Sequence, residues 1–130
     1  MQPYETGEVD MTHKNITKSE LAQFTGSEQW YRHGLARKVL YTDGAQYVAE
    51  SGGAYWLIDE IAFGQAEPKV AAEEFQVWRL KVNPDQTAIL TCDDGNNRVV
   101  FSKRIEYTDF PLNEIGFYFT NNVIMLPSEY

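Results

Sequence analysis

The 130-residue chain is 43% hydrophobic and 14% aromatic, which fits one folded domain and excludes a disordered polypeptide. Its net charge of −8 argues against binding a phosphate backbone, where affinity comes from Lys and Arg displacing counterions. No apolar run approaches the roughly 18 residues of a membrane-spanning helix, and the polar, acidic start MQPYETGEVD is not a secretory leader, so a cytoplasmic protein is expected.

Residues 1–13 show no hydrophobic period and are expected to be a flexible arm, leaving 14–130 as a single domain. Thr17-Lys18-Ser19-Glu20 has capping-box spacing and opens a short helix that Gly26 closes. Ser27 is placed to cap a second short helical turn through Trp30 and Tyr31, ended by Gly34. Lys38 to Tyr41 reads as a brief strand or an extended connection. Ala45, Val48 and Ala49 recur at helical intervals after Thr42-Asp43-Gly44, with Gly52-Gly53 as a stop. Ala54, Leu57, Ile58, Ile61 and Ala62 then form an apolar stripe of helical period, bounded by glycines 53 and 64. The sequence leaves open whether 43–64 is one bent helix or two. Gln65 to Ala72, with Pro68 inside it, reads as a loop.

From Phe75 the pattern changes. Phe75–Val82, Thr87–Cys92, Arg98–Tyr107, Ile115–Phe119 and Val123–Leu126 are runs of β-formers separated by polar turns. Helices followed by such runs predict an α+β fold, with N-terminal helices packed on one face of a C-terminal antiparallel meander of about five strands.

Charge is unevenly spread, and residues 43–74 hold seven acids and one base. Asp59-Glu60 lies in that block. Neighbours on a helix point about 100° apart, so this pair cannot converge on one substrate as a general acid and base must. The same side of the helix carries Tyr55, Trp56 and Phe63. Aromatics rimmed by acids have the composition of a protein interface, so Tyr55, Trp56, Asp59, Glu60 and Phe63 are the partner-binding candidates, either exposed or covered by the N-terminal segment. The expected partner is a protein with a basic surface, with neither nucleic acid nor membrane bound directly.

Other constellations are weaker. The lone Cys92 excludes an internal disulfide and a multi-cysteine zinc cluster, and its acidic neighbours would raise its pKa, as expected of a buried thiol. Asp93-Asp94-Gly95-Asn96-Asn97 lacks the ligand spacing of a calcium loop and reads as a hairpin turn. No metal-binding or cofactor motif is found; His13 and His33 are the two histidines. An alternative is a small enzyme or ligand binder, its pocket between helices and sheet built from His33, Asp43, Cys92 and Asp109. Self-association through an edge strand such as Val123–Leu126 is a third possibility.

Several blocks together carry a resemblance: Gln23-Phe24-Thr25-Gly26, Gln29-Trp30-Tyr31-Arg32-His33, Leu40-Tyr41-Thr42-Asp43-Gly44, Gly53-Ala54-Tyr55-Trp56-Leu57-Ile58-Asp59, Phe75-Gln76-Val77-Trp78, Leu90-Thr91-Cys92-Asp93-Asp94-Gly95 and Tyr107-Thr108-Asp109-Phe110-Pro111-Leu112. In this order, over residues 17–130, the chain resembles an uncharacterised bacterial family of unknown function, often labelled "plasmid-related protein". The resemblance implies a small protein carried on plasmids or other mobile elements, and it transfers no reaction and no catalytic residue. With the charge pattern it suggests an interaction module, an inhibitor or mimic acting on a host nucleic-acid-handling or defence complex.

Overall fold

Thr17 begins the first helix as its sequence requires. The Glu20 amide donates to Thr17 Oγ1 at 3.3 Å and the Thr17 amide donates back to Glu20 Oε1 at 2.9 Å, completing the capping box of α1 (Lys18–Leu21). The computed structural model describes residues 16–26 and 29–130; the expected arm, His13 and the Ser27 cap lie outside them.

Two strands come next. β1 (Trp30–Arg32) and β2 (Leu40–Thr42) pair antiparallel, with Tyr31 directly opposite Tyr41 and their rings stacked at 5.5 Å. That cross-strand aromatic pair, on a segment whose burial alternates, overrides the helical turn expected around Trp30. Two helices follow, α2 (Asp43–Ser51) and α3 (Tyr55–Gly64), so residues 43–64 form two helices and not one. The Ala45 amide donates to Thr42 Oγ1 at 3.2 Å to start α2, and Gly53, at φ +63°, turns the chain between them. A short α4 (Pro68–Ala71) replaces the expected loop, because Pro at the first helical position needs no amide partner.

The remaining strands are β3 (Phe75–Val82), β4 (Ala88–Asp93), β5 (Val99–Ile105), β6 (Glu114–Thr120) and β7 (Val123–Met125), followed by a 3₁₀ turn at Pro127–Glu129. The five predicted runs are therefore strands, but the predicted architecture is wrong. All seven strands form one mixed sheet in the order β1-β2-β7-β6-β3-β4-β5. The reason is a non-local pairing: β2 runs parallel to β7, Leu40 opposite Val123 and Tyr41 opposite Ile124, which sews the early hairpin onto the end of the chain. A consequence is that Val123–Leu126 is no edge: β7 lies between β2 and β6, and the outer strands are β1 and β5.

The core sits on one face of this sheet. Leu57, Ile58, Ile61 and Ala62 of α3 and Ala45, Val48 and Ala49 of α2 are buried with Trp78, Leu80, Leu90, Phe117 and Ile124. Helix α3 comes so close that a Cβ on Gly64 would stand 2.7 Å from the Trp78 ring. Trp78 Nε1 donates to Gln76 Oε1 at 2.9 Å. The buried Gln76 amide also exchanges hydrogen bonds with Gln65 and donates to the Val70 carbonyl at 2.9 Å, which satisfies the polar groups beneath α3 and α4. The C-terminus closes back on α2, where Glu129 accepts from Thr42 Oγ1 at 2.6 Å, the Gly44 amide at 3.0 Å and the Leu126 amide at 2.8 Å. A carboxylate there also complements the positive end of the helix.

Candidate functional site

The long loop from β1 to β2 curls around one histidine. His33 sits just past β1, its amide donating to the Val39 carbonyl at 2.9 Å, and its Nδ1 accepts from the amides of Leu35 at 3.1 Å and Ala36 at 2.8 Å. Backbone amides can only donate, so Nδ1 carries the lone pair and Nε2 the proton. Nε2 donates to Asp59 Oδ1 at 2.7 Å, linking the loop to the outer side of α3. The ring itself is buried, whereas the Asp59 side chain is 53% exposed.

Around this link lies a cleft of about 270 Å3, lined by the 33–35 loop, Tyr41 of β2 and Tyr55, Ile58, Asp59 and Phe63 of α3. Phe63 packs edge-on against His33 at 5.2 Å and remains 48% exposed; Leu35 beside it is 79% exposed. Tyr55 donates to Glu50 Oε1 at 2.9 Å and accepts from Gln46 Nε2 at 3.3 Å, which ties the start of α3 to α2. Burial and the hydrogen bond to Glu50 raise the Tyr55 phenol above its ordinary pKa. Burial, then the nearby Tyr31 and Asp59, raise that of Tyr41. Both phenols are consequently neutral near pH 7, offering ring faces and hydroxyls to whatever enters.

The five candidates on α3 divide between two stripes. Tyr55, Asp59 and Phe63, spaced by four, point into the cleft. Trp56 is half-buried against the core, and Glu60 accepts from Lys103 Nζ of β5 at 2.7 Å, so this second stripe faces the sheet. Asp59 and Glu60 thus anchor the helix to different elements, in keeping with their angular separation.

His33 and Cys92 are not brought together, and neither Asp43 nor Asp109 lines the cleft beside His33. Asp43 begins α2, and Asp109, itself exposed, lies between buried Thr108 and Phe110 in the connection from β5 to β6. Cys92 is on β4, five strand positions from β1, or about 24 Å at ordinary strand spacing. It is fully buried, and burial with the neighbouring Asp93 and Glu73 charges pushes its thiol up to about 12. The Asp93–Asn97 segment is a hairpin turn, with Gly95 at φ +90° and Asn97 at φ +68°. The Asn96 amide, foremost, and Arg98 hold the Asp94 carboxyl below the usual range. Among the described residues no group of three or more His, Cys, Asp or Glu is placed to hold a metal ion, and no helix is long and apolar enough to cross a membrane.

The partners that sequence reasoning missed are Leu35 and Tyr41. Leu35 stands alone in a loop, and Tyr41 reaches the cleft only through the β1–β2–β7 pairing. With a mixed sheet, two covering helices and an aromatic, acid-edged cleft in place, the chain can be assigned: it belongs to the family of unknown function DUF6876, whose match runs over residues 15–130. No curated protein and no solved structure matches it. The family match brings no reaction, ligand or source.

Proposed function

We propose that this protein is an interaction module that takes a basic segment of a partner protein into the cleft between α3 and the β1–β2 loop. The observation that carries this reading is the set of Tyr41, Tyr55 and Phe63 rings around the half-exposed carboxylate of Asp59. Ring faces attract a guanidinium or ammonium group, and a carboxylate at their edge adds an ion pair. Exposed Leu35 and Phe63 supply the apolar contact that makes a local anchor. At about 270 Å3 the cleft suits one side chain, and it is smaller than the roughly 300–1,000 Å3 usual for small-molecule sites.

Catalysis by His33 is poorly supported because both ring nitrogens are already used, one by Asp59 and one by two amides. The alternative of an enzyme or ligand binder with a pocket between helices and sheet loses its main support with the separation of His33 from Cys92. The likeness to plasmid-carried bacterial proteins supports a cytoplasmic setting on a mobile element. There the basic surface would belong to a host nucleic-acid-handling or defence complex, and the acidic 43–74 block supports attraction to it.

A titration with short peptides carrying a central Arg, Lys, citrulline or Glu, followed by amide NMR shifts, tests the reading. Arg and Lys peptides are expected to move the Leu35, Tyr55 and Phe63 signals saturably, with citrulline weaker by about tenfold. Phe63→Ala should weaken the effect while leaving the fold intact. Equal shifts from all four peptides, or none from Arg and Lys, would overturn it.

A further inference from the structure

We infer that the sheet face turned away from α2 and α3 holds a second site, a groove for a small organic anion with a carboxylate or phosphomonoester head and an apolar body. It shares no residue with the α3 cleft. The groove encloses about 670 Å3, within the roughly 300–1,000 Å3 of small-ligand sites. Strands β3 and β6 form its floor, and α1 with the C-terminal turn forms its wall, where exposed Ala22 and Pro127 lie over the buried Leu21 and Leu126.

Strand alternation places the head-group donors. Arg79 and Lys81 project from β3 onto this face two residues apart, about 6.8 Å along the strand. Buried Asp93 accepts from Arg79 Nε at 3.1 Å and orients the guanidinium, while the two terminal nitrogens have no partner among the described residues. Their planar fork is left for a carboxylate or phosphate. Lys18 at the rim pairs with Glu114 at 3.6 Å, whereas Lys81 has no ion-pair partner among the described residues. Lys18, Arg79 and Lys81 there stand against Glu114 and the Asp93 beside Arg79, a local balance of one positive charge in a chain whose net charge is −8. Such a local reversal of sign favours a compact anion, and the surrounding negative field disfavours a long polyanion.

Gly116, opposite Arg79 in the register, gives the groove its depth. A Cβ there would meet only the Trp78 carbonyl oxygen at 3.7 Å, an ordinary contact, and the residue does not have a positive φ. Folding does not require the glycine, so a larger side chain can fill the groove without disturbing the sheet. The floor runs on past Arg79 and Lys81 to Ile89 and Thr91 in an adjoining depression, which gives an apolar tail a second direction to lie in.

The test is an amide NMR titration of the full chain with hexanoate, hexyl phosphate, neutral hexanamide and inorganic phosphate. Hexanoate or hexyl phosphate should shift Arg79, Lys81, Ile115 and Gly116 saturably, and the comparison of the two identifies the head group. Hexanamide and inorganic phosphate should bind at least about tenfold more weakly. Lys81→Met, which removes an unpaired charge, should weaken binding by about tenfold, and Gly116→Val should abolish it with an unchanged thermal midpoint. If Gly116→Val lowers that midpoint, Lys81→Met alone carries the decision. The inference is overturned by no saturable groove shifts, by hexanamide matching hexanoate, by inorganic phosphate matching hexyl phosphate, or by Lys81→Met binding like the parent. Shifts produced by an acidic peptide and by none of the small anions would also overturn it.

Discussion

Replacing His33 and Asp59 separately distinguishes a histidine that organises a loop from one that serves its carboxylate. His33→Ala leaves the Leu35 and Ala36 amides without their acceptor and removes a buried ring that packs on Phe63. Each unsatisfied, partly buried group costs about 1–3 kcal/mol, so with partial rescue by water the substitution should destabilise by about 2–4 kcal/mol. For a domain of this size that lowers the melting midpoint by about 10 °C. Asp59→Ala removes one acceptor whose side chain is already 53% exposed, so water can take its place. The expected loss is about 1 kcal/mol, and Asp59→Asn, which keeps an acceptor, should cost about 0.5 kcal/mol. Urea denaturation of the three variants beside the parent measures the order. If Asp59→Ala were as costly as His33→Ala, the Asp59 contact, and not the two amide bonds to Nδ1, would be the one holding the loop.

Three further outcomes follow from packing and burial. Gly44→Ala in a helix ordinarily stabilises by about 1 kcal/mol, but here the new Cβ would lie 2.6 Å from Glu129 Oε1 and 2.7 Å from Leu126 Cδ1. The sign should reverse, to a loss of about 1–2 kcal/mol in chemical denaturation; a gain would mean that the C-terminal turn does not seat on α2. Cys92, with its thiol near 12, should resist thiol reagents at pH 8 until the protein unfolds. Since the unfolded thiol ionises near about 8.5, stability is full below that pH and falls by about 1.4 kcal/mol per unit as pH rises toward 12, a slope that Cys92→Ala should flatten. Gln76→Leu strands the Trp78 N–H and the Val70 carbonyl and should cost about 3 kcal/mol by thermal unfolding, more than Gln65→Ala at the half-exposed end of the same network.

The local chemistry was readable where one segment decides its own conformation. The Thr17–Glu20 capping box, the α3 stripe of Leu57, Ile58 and Ile61, and the five β-runs from Phe75 onward all appear where periodicity and turn residues put them. The sheet was not readable, because its order depends on Tyr41 meeting Ile124, more than eighty positions away, and no local pattern encodes a parallel partner. Trp30–Arg32 is too short for its alternation to outweigh a helical reading, and its strand character comes from Tyr41 across the ladder. The candidate site shows the same division. Asp59 and Glu60 diverge as adjacent helix positions must, but their anchors, His33 and Lys103, come from distant segments. Trp56, the most conspicuous aromatic of the stretch, turns toward the core, and Leu35 is exposed in its place.

The α3 cleft is the surface proposed to meet a basic partner. A photo-crosslinking amino acid placed at Phe63 in the cell, with one at Tyr107 as a control on a more accessible but unrelated surface, tests this directly. A specific adduct from position 63, absent from 107, joined to a partner peptide rich in Arg or Lys and lost on Asp59→Ala, is the predicted result. Adducts of equal yield from both positions, or a position-63 adduct on an acidic segment that persists in Asp59→Ala, would contradict the account.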